Sequence, residues 1–197
     1  MSEMTKTKPA LSSHRIVVRL AASGIMIALA TVLSMVTVVK MPLGGSLTPL
    51  SMLPICMIAI IYGTGWGLGT AFAYALVQLI IDFASALSWG LSVPALIVCF
   101  VFDYLLAFTV LGLAGLFRKK GTAGIVGGVA LACVLRYICH IISGGTVFAI
   151  WMPEDWSNPW LYSAAYNGVY MLPEMVLTAV CAFALSKVPA IRSLITD

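Results

Sequence analysis

Five ionisable side chains fall inside long apolar runs: Asp82, Asp103, Arg136, His140 and Glu174. A charge placed in hydrocarbon costs about 2.5–3.5 kcal/mol on insertion scales, so such groups are candidates for function wherever they occur. Asp103 and His140 each lie about two turns from the outer end of their apolar runs, and residues at one depth on neighbouring helices can meet. Tyr162, Tyr166 and Asn167 bring polar and aromatic groups to the same level, and Tyr104 adjoins the aspartate. A carboxylate among aromatic rings suits a flat organic cation, through charge pairing and cation–π attraction. Asparagine and histidine can read ring nitrogens or a hydroxyl. The expected chemistry is therefore binding, in a polar, aromatic-lined pocket that opens outward, with a heteroaromatic cation preferred over an anion or a sugar.

Each of these residues also has a plainer role. Asp103 can pair with His140 or Arg136 simply to hold helices together, and His140 can serve as an interhelical hydrogen-bond donor. Arg136, one helical turn inward of His140 on the same face, is expected to pair with Glu174 or Asp103 as structural support. Asp82, near the outer end of its helix, can cap or snorkel. Tyr162 and Tyr166 fit an interfacial aromatic belt. Asn167, five residues into its helix, is harder to dismiss.

The elements that must position these groups are membrane helices. Of 197 residues, 61% are hydrophobic and 9% charged, against about 25% charged in a soluble domain. That composition excludes a soluble enzyme, a DNA-binding module and a disordered chain. At about 20 apolar residues per crossing, the length suits an all-α integral membrane protein with six short-looped helices. The pattern predicts helices over 16–39, 50–62 (interrupted at Pro54), a span ending near 84 after the glycine-rich break Gly63–Gly69, and then 95–117, 123–150 and 161–187. The segment Met41–Pro49 carries two prolines and paired glycines and cannot continue a helix.

Charge placement orients the bundle. Lys6, Lys8, Arg15, Arg19, Arg118, Lys119, Lys120, Lys187 and Arg192 fall on one side, which positive-inside bias makes cytoplasmic. Lys40 and the acidic pair Glu154-Asp155 fall opposite. Both termini are expected in the cytoplasm, with 1–15 as a tail of a single membrane domain. That tail holds no short apolar region of a removable signal, so the first helix is expected to direct insertion.

Other chemistries find no support. Cys56, Cys99, Cys133, Cys139 and Cys181 lie in apolar runs without a CxxC pair, so no disulfide framework or metal site is expected. No GxxxxGK motif followed by Ser or Thr is present, nor HExxH. The run Gly63–Gly69 lacks the strand that a dinucleotide-binding turn needs, and close helix packing explains it better. Scattered basic residues form no nucleic-acid face. No internal repeat of the kind found in many secondary transporters is visible. Gly24 and Ala28 make a small-residue face on the first helix, suited to internal packing or to docking another membrane protein.

Four ordered segments carry a resemblance: MPLGGSLTPLSMLPI from Met41, DYLLAFTVLGLAGLF from Asp103, LRYICHIISGG from Leu135 and YSAAYNGVYMLP from Tyr162. Over essentially its whole length the chain resembles the thiamine-specific S components, the substrate-binding subunits of energy-coupling factor (ECF) vitamin transporters. The resemblance implies a six-helix fold with a thiamine pocket near the outer face, closed by a lid at 41–49 that includes Pro42, Gly44, Gly45 and Ser46. It implies ligand binding by Asp103, Tyr104, His140, Gly144, Tyr162 and Asn167, with Asp103 and aromatic faces holding the cationic ring. Phe148 stands where a relative carries a stacking tryptophan, and Trp89, Trp151 or Tyr166 can complete the aromatic set. The small-residue pair Gly24 and Ala28 matches the family's docking motif. By the same resemblance the chain binds no cofactor itself, sits in the cell membrane among lipid, and works with a transmembrane coupling subunit and two ATPases that use ATP. An S component for another vitamin or a thiamine precursor, a stand-alone secondary transporter, an intramembrane enzyme using Asp103 and His140, and a membrane scaffold remain as alternatives.

Overall fold

The computed structural model describes residues 13–42 and 44–196; most of the expected tail, with Lys6 and Lys8, and Leu43 of the expected lid lie outside the described residues. Helix α1 (Ser13–Met35) leads into a short hairpin of β1 (Val39–Lys40) and β2 (Ser46–Leu47). The strands pair antiparallel with Val39 opposite Leu47 and Lys40 opposite Ser46. Helices α2 (Leu53–Tyr62) and α3 (Thr64–Ser88) follow. One apolar rod, Val93–Gly115, then combines α4 (Val93–Cys99), a π-helical stretch (Phe100–Leu106), α5 (Ala107–Thr109) and a 3-10 stretch (Val110–Gly115). A 3-10 turn at Arg118–Lys120 connects to α6 (Gly121–Thr146), and α7 (Pro159–Lys187) and α8 (Pro189–Thr196) complete the chain.

Five of these segments are long and apolar enough to cross a membrane: Ser13–Met35, Thr64–Ser88, Val93–Gly115, Arg118–Thr146 and Pro159–Lys187. The remaining helix, α2, has ten residues and rises only about 15 Å, half the hydrocarbon thickness. It is apolar all round because it is enclosed all round: Ile55, Cys56, Ile58, Ala59 and Ile60 are all within 1% of complete burial. The bundle core is built around it, with Leu111, Ala114, Val129, Ala132 and Cys133 joining from the rod and α6.

Several expected boundaries shift for local reasons. Pro54 does not interrupt α2 but stands in its first turn, where a missing N–H is harmless. Of the glycines at 63–69 only Gly63 breaks the chain, with φ +95°; Gly65, Gly67 and Gly69 are helical. A Cβ at Gly67 would lie 2.7 Å from the Ala59 Cα, so that glycine lets α2 and α3 fold back on each other. The first helix stops at Met35 rather than Val39, because 39–40 is drawn into the hairpin. At the other end it begins at Ser13 rather than Ile16.

The two ends of the described chain lie at the same end of the bundle. Arg19 stacks over Tyr62 and Trp66 at 5.2 and 5.7 Å. Arg118 Nη1 donates to the carbonyls of Ile60 (3.2 Å) and Ile61 (2.6 Å), and Ser186 bonds Thr122. The unanticipated α8 lies here, with Ile191 and Ile195 packed on the core. The hairpin, the 88–93 turn and the 148–158 loop occupy the opposite end.

Candidate functional site

The π-helical stretch at Phe100–Leu106 sets the geometry of the site. A π turn accommodates one extra residue and re-aims the side chains around it. Two adjacent residues here reach different neighbours: Asp103 faces α6, and Tyr104 faces α3. Asp103 Oδ1 lies 2.8 Å from His140 Nδ1, and Asp103 Oδ2 accepts a bond from Ser143 Oγ, one turn further along α6. The Tyr104 hydroxyl donates to Asp82 Oδ2 at 3.3 Å.

Arg136 lies one turn below His140 and donates from Nε to His140 Nε2 at 3.4 Å. With Nε2 turned toward Arg136, Nδ1 is the ring nitrogen that faces the Asp103 carboxylate. The result is a relay from Arg136 through His140 to Asp103. The side chains of His140 and Asp103 are 12% and 16% exposed, which keeps bulk water from screening the pair. The guanidinium of Arg136 also stacks 4.2 Å above the Phe108 ring. Of its two expected partners, Glu174 and Asp103, neither forms an ion pair with it; Arg136 reaches Asp103 only through His140. Glu174 is buried, facing the backbone of Leu50 and Ser51 at the entry to α2.

These groups open onto a cavity of about 420 Å³, within the range of small-molecule sites. Every residue expected in the binding set lines it: Asp103, Tyr104, His140, Gly144, Phe148, Tyr162, Tyr166 and Asn167. One wall is aromatic through Trp89 and Phe148, edge to face at 5.4 Å. The other is the α7 ladder of Tyr162, Tyr166 and Tyr170, with neighbouring ring centroids 6.0 and 6.3 Å apart. Of the tryptophans considered to complete the aromatic set, Trp89 reaches the cavity and Trp151 stays behind Phe148, at 5.6 Å.

Asn167 is more committed than its sequence position suggests. Its Nδ2 donates to the Ser163 carbonyl at 2.9 Å and its Oδ1 accepts from the Tyr170 hydroxyl. Gly144 allows the close approach of α6 and α7 that this network needs, since a Cβ there would meet the Ser163 side chain and come within 3.4 Å of Asn167 Nδ2.

The hairpin forms the roof. Lys40, Gly44, Gly45, Ser46 and Thr48 line the cavity, whereas Pro42 is exposed and does not. Gly44, at φ +92°, rests on Trp89, and Gly45 rests on Tyr170 and Tyr166. A Cβ at either position would intrude, at 3.0 Å from Trp89 Cζ2 or 2.6 Å from Tyr170 Cε1.

Two further contributors were not in the expected binding set. Asp82 and Gln78 also line the cavity. A signal for them exists in the sequence: Gln78, Asp82, Ser85 and Trp89 recur at helical spacing along an otherwise apolar segment. Gly24 and Ala28 lie away from the site, exposed on α1, and nothing lies within 4 Å of a Cβ built on Gly24. Internal packing of that face uses Ser23 instead, which accepts from Trp66 Nε1 at 3.0 Å and Thr70 Oγ1 at 3.1 Å.

Comparison with known proteins is consistent across sequence and fold. Residues 20–192 match the family described as Thiamine transporter protein. The chain is 32% identical over 184 residues to the thiamine transporter ThiT of Bacillus subtilis (strain 168), covering 86% of this chain and 91% of that protein. A solved structure of ThiT from Listeria monocytogenes superposes with a TM-score of 0.72, covering 92% of this chain and 98% of that one. At 21% identity the latter is a likeness of fold.

Proposed function

We propose that this chain, which belongs to the thiamine transporter family and is a multi-pass membrane transport protein rather than an enzyme, is the high-affinity thiamine-binding subunit of an ECF-type importer. The observation that carries the reading is the convergence of Asp103, Tyr104, His140, Gly144, Phe148, Tyr162, Tyr166 and Asn167, from four separate segments of chain, on one cavity under the hairpin.

Thiamine joins an aminopyrimidine to a permanently cationic thiazolium ring. In this reading its flat rings lie between the Trp89–Phe148 wall and the tyrosine ladder, where aromatic faces favour a cation. Asp103 supplies negative charge and free lone-pair directions beyond those used by His140 and Ser143. Arg136 and His140 hold that carboxylate in place so that it is not reoriented by the incoming ligand. Tyr162 and Asn167 line the same end and present polar atoms to the pyrimidine. The hairpin then closes over the ligand, its two glycines seated on Trp89 and Tyr170.

The end of the bundle bearing Arg19, Arg118 and α8 is the cytoplasmic end in this reading, by positive-inside bias, which places the cavity outside. Gly24 and Ala28 on α1 dock the coupling subunit, and ATP is hydrolysed by two partner ATPases. Reconstitution in liposomes tests this division of labour. The chain alone should bind thiamine without accumulating it, and accumulation should require the coupling subunit, the ATPases and ATP. Thiamine accumulation by the chain alone would overturn the importer-subunit reading.

A further inference from the structure

The cavity holds two carboxylates, and they are not equivalent. Asp103 accepts from His140 and Ser143 and sits at the end of the relay from Arg136. The Arg136 guanidinium at the start of that relay offsets the Asp103 carboxylate at its end. Asp82, on α3, accepts from the phenolic hydroxyl of Tyr104, at 3.3 Å. A phenol orients a carboxylate but does not offset its charge. The remaining cation of the cavity, Lys40 on the hairpin, forms no ion pair with Asp82.

We propose that Asp82, oriented by Tyr104, is the counter-ion for the fixed positive charge of the ligand, and that Asp103 serves the neutral ring as a hydrogen-bond acceptor. This rests on the thiamine reading above and moves the cation from one acid to the other. Charge accounting supports the move: a cation placed at Asp103 also faces the Arg136 guanidinium that lines the same cavity, whereas one placed at Asp82 faces a carboxylate with no cation within ion-pair range among the described residues. Geometry supports it as well. The two acids flank Tyr104, one through its hydroxyl and one through the adjacent backbone position, so the site has an uncompensated anionic pole and a neutralised, hydrogen-bonding pole. A ligand with one cationic ring and one neutral ring matches that polarity in a single orientation.

The test compares thiamine with an analogue in which a neutral thiophene replaces the thiazolium ring, using wild-type protein, Asp82→Asn and Asp103→Asn. Asp82 is exposed, so its replacement leaves the packed core untouched. Asp82→Asn should weaken thiamine by about tenfold, equivalent to about 1.4 kcal/mol, and leave the analogue nearly unaffected. Asp103→Asn should weaken both compounds alike. Tyr104→Phe, which releases the Asp82 carboxylate, should reduce the preference for thiamine over the analogue in the same direction as Asp82→Asn. An unchanged thiamine-to-analogue ratio in Asp82→Asn overturns the assignment while leaving thiamine binding intact. Wild-type protein that binds neither compound overturns the underlying reading instead, and the assignment with it.

Discussion

His140 Nδ1 and Asp103 Oδ1 lie 2.8 Å apart although the residues are separated by 37 positions in the chain. The bond joins α6 to the π-helical stretch and fixes a carboxylate that would otherwise be costly to bury. Arg136 completes it from the turn below. Replacing His140 with Ala removes one of the hydrogen bonds to that carboxylate, and hydrogen bonds to charged groups contribute about 1.5–3 kcal/mol. The His140→Ala protein should unfold at lower temperature in detergent and bind thiamine at least about tenfold more weakly. A variant that retains both properties would show that the pair is incidental.

The roof makes a second, separable prediction. Gly45→Ala places a methyl 2.6 Å from Tyr170 Cε1, an overpacking that costs about 1–3 kcal/mol where neighbours cannot yield. Because the strain falls on the closed hairpin, thiamine should dissociate faster while the association rate and thermal stability change little. Stopped-flow measurement of both rates decides it, and an unaltered dissociation rate would remove the hairpin from ligand retention.

A third concerns the exposed small-residue face of α1. Gly24 has open space above it and Ala28 is exposed one turn on, so bulk added there meets no neighbour within this chain. Ala28→Trp should therefore preserve thiamine binding and lower ATP-driven uptake through the reconstituted complex by about tenfold or more, if close backbone approach drives the docking. Undiminished uptake would place the coupling interface elsewhere on the molecule.

The large-scale reading was accessible from sequence because hydrocarbon is an exacting solvent: apolar runs had to be helices, and the few ionisable groups within them marked the cavity. Asp103 and His140 were visible as residues of equal depth for that reason. What escaped depended on tertiary contact. The helical state of Gly65, Gly67 and Gly69 is decided by packing against α2 and the rod, which overrides their weak intrinsic preference. The π-helical stretch at Phe100–Leu106, which carries both Asp103 and Tyr104, has no composition signature. Asp82 is legible as an ionisable group near the end of its helix, where capping or snorkelling is expected, and Trp89 as one of three candidates for the aromatic set; the turn that brings Trp89 under the hairpin is not encoded in any local pattern. Arg136 is expected to pair with Glu174 or Asp103; it bonds His140, one turn along its own helix, and reaches Asp103 only through that imidazole.

The central claim is that thiamine binds in the cavity bounded by Asp103, His140 and the tyrosine ladder. Trp89 lines that cavity, so the most direct measurement is a thiamine titration of the purified protein followed by tryptophan fluorescence and checked by calorimetry, with Asp103→Asn in parallel. The account predicts saturable, one-site binding by the wild type and at least about tenfold weaker binding by the variant. Absence of saturable binding by the wild type, or equal affinity in Asp103→Asn, would contradict it.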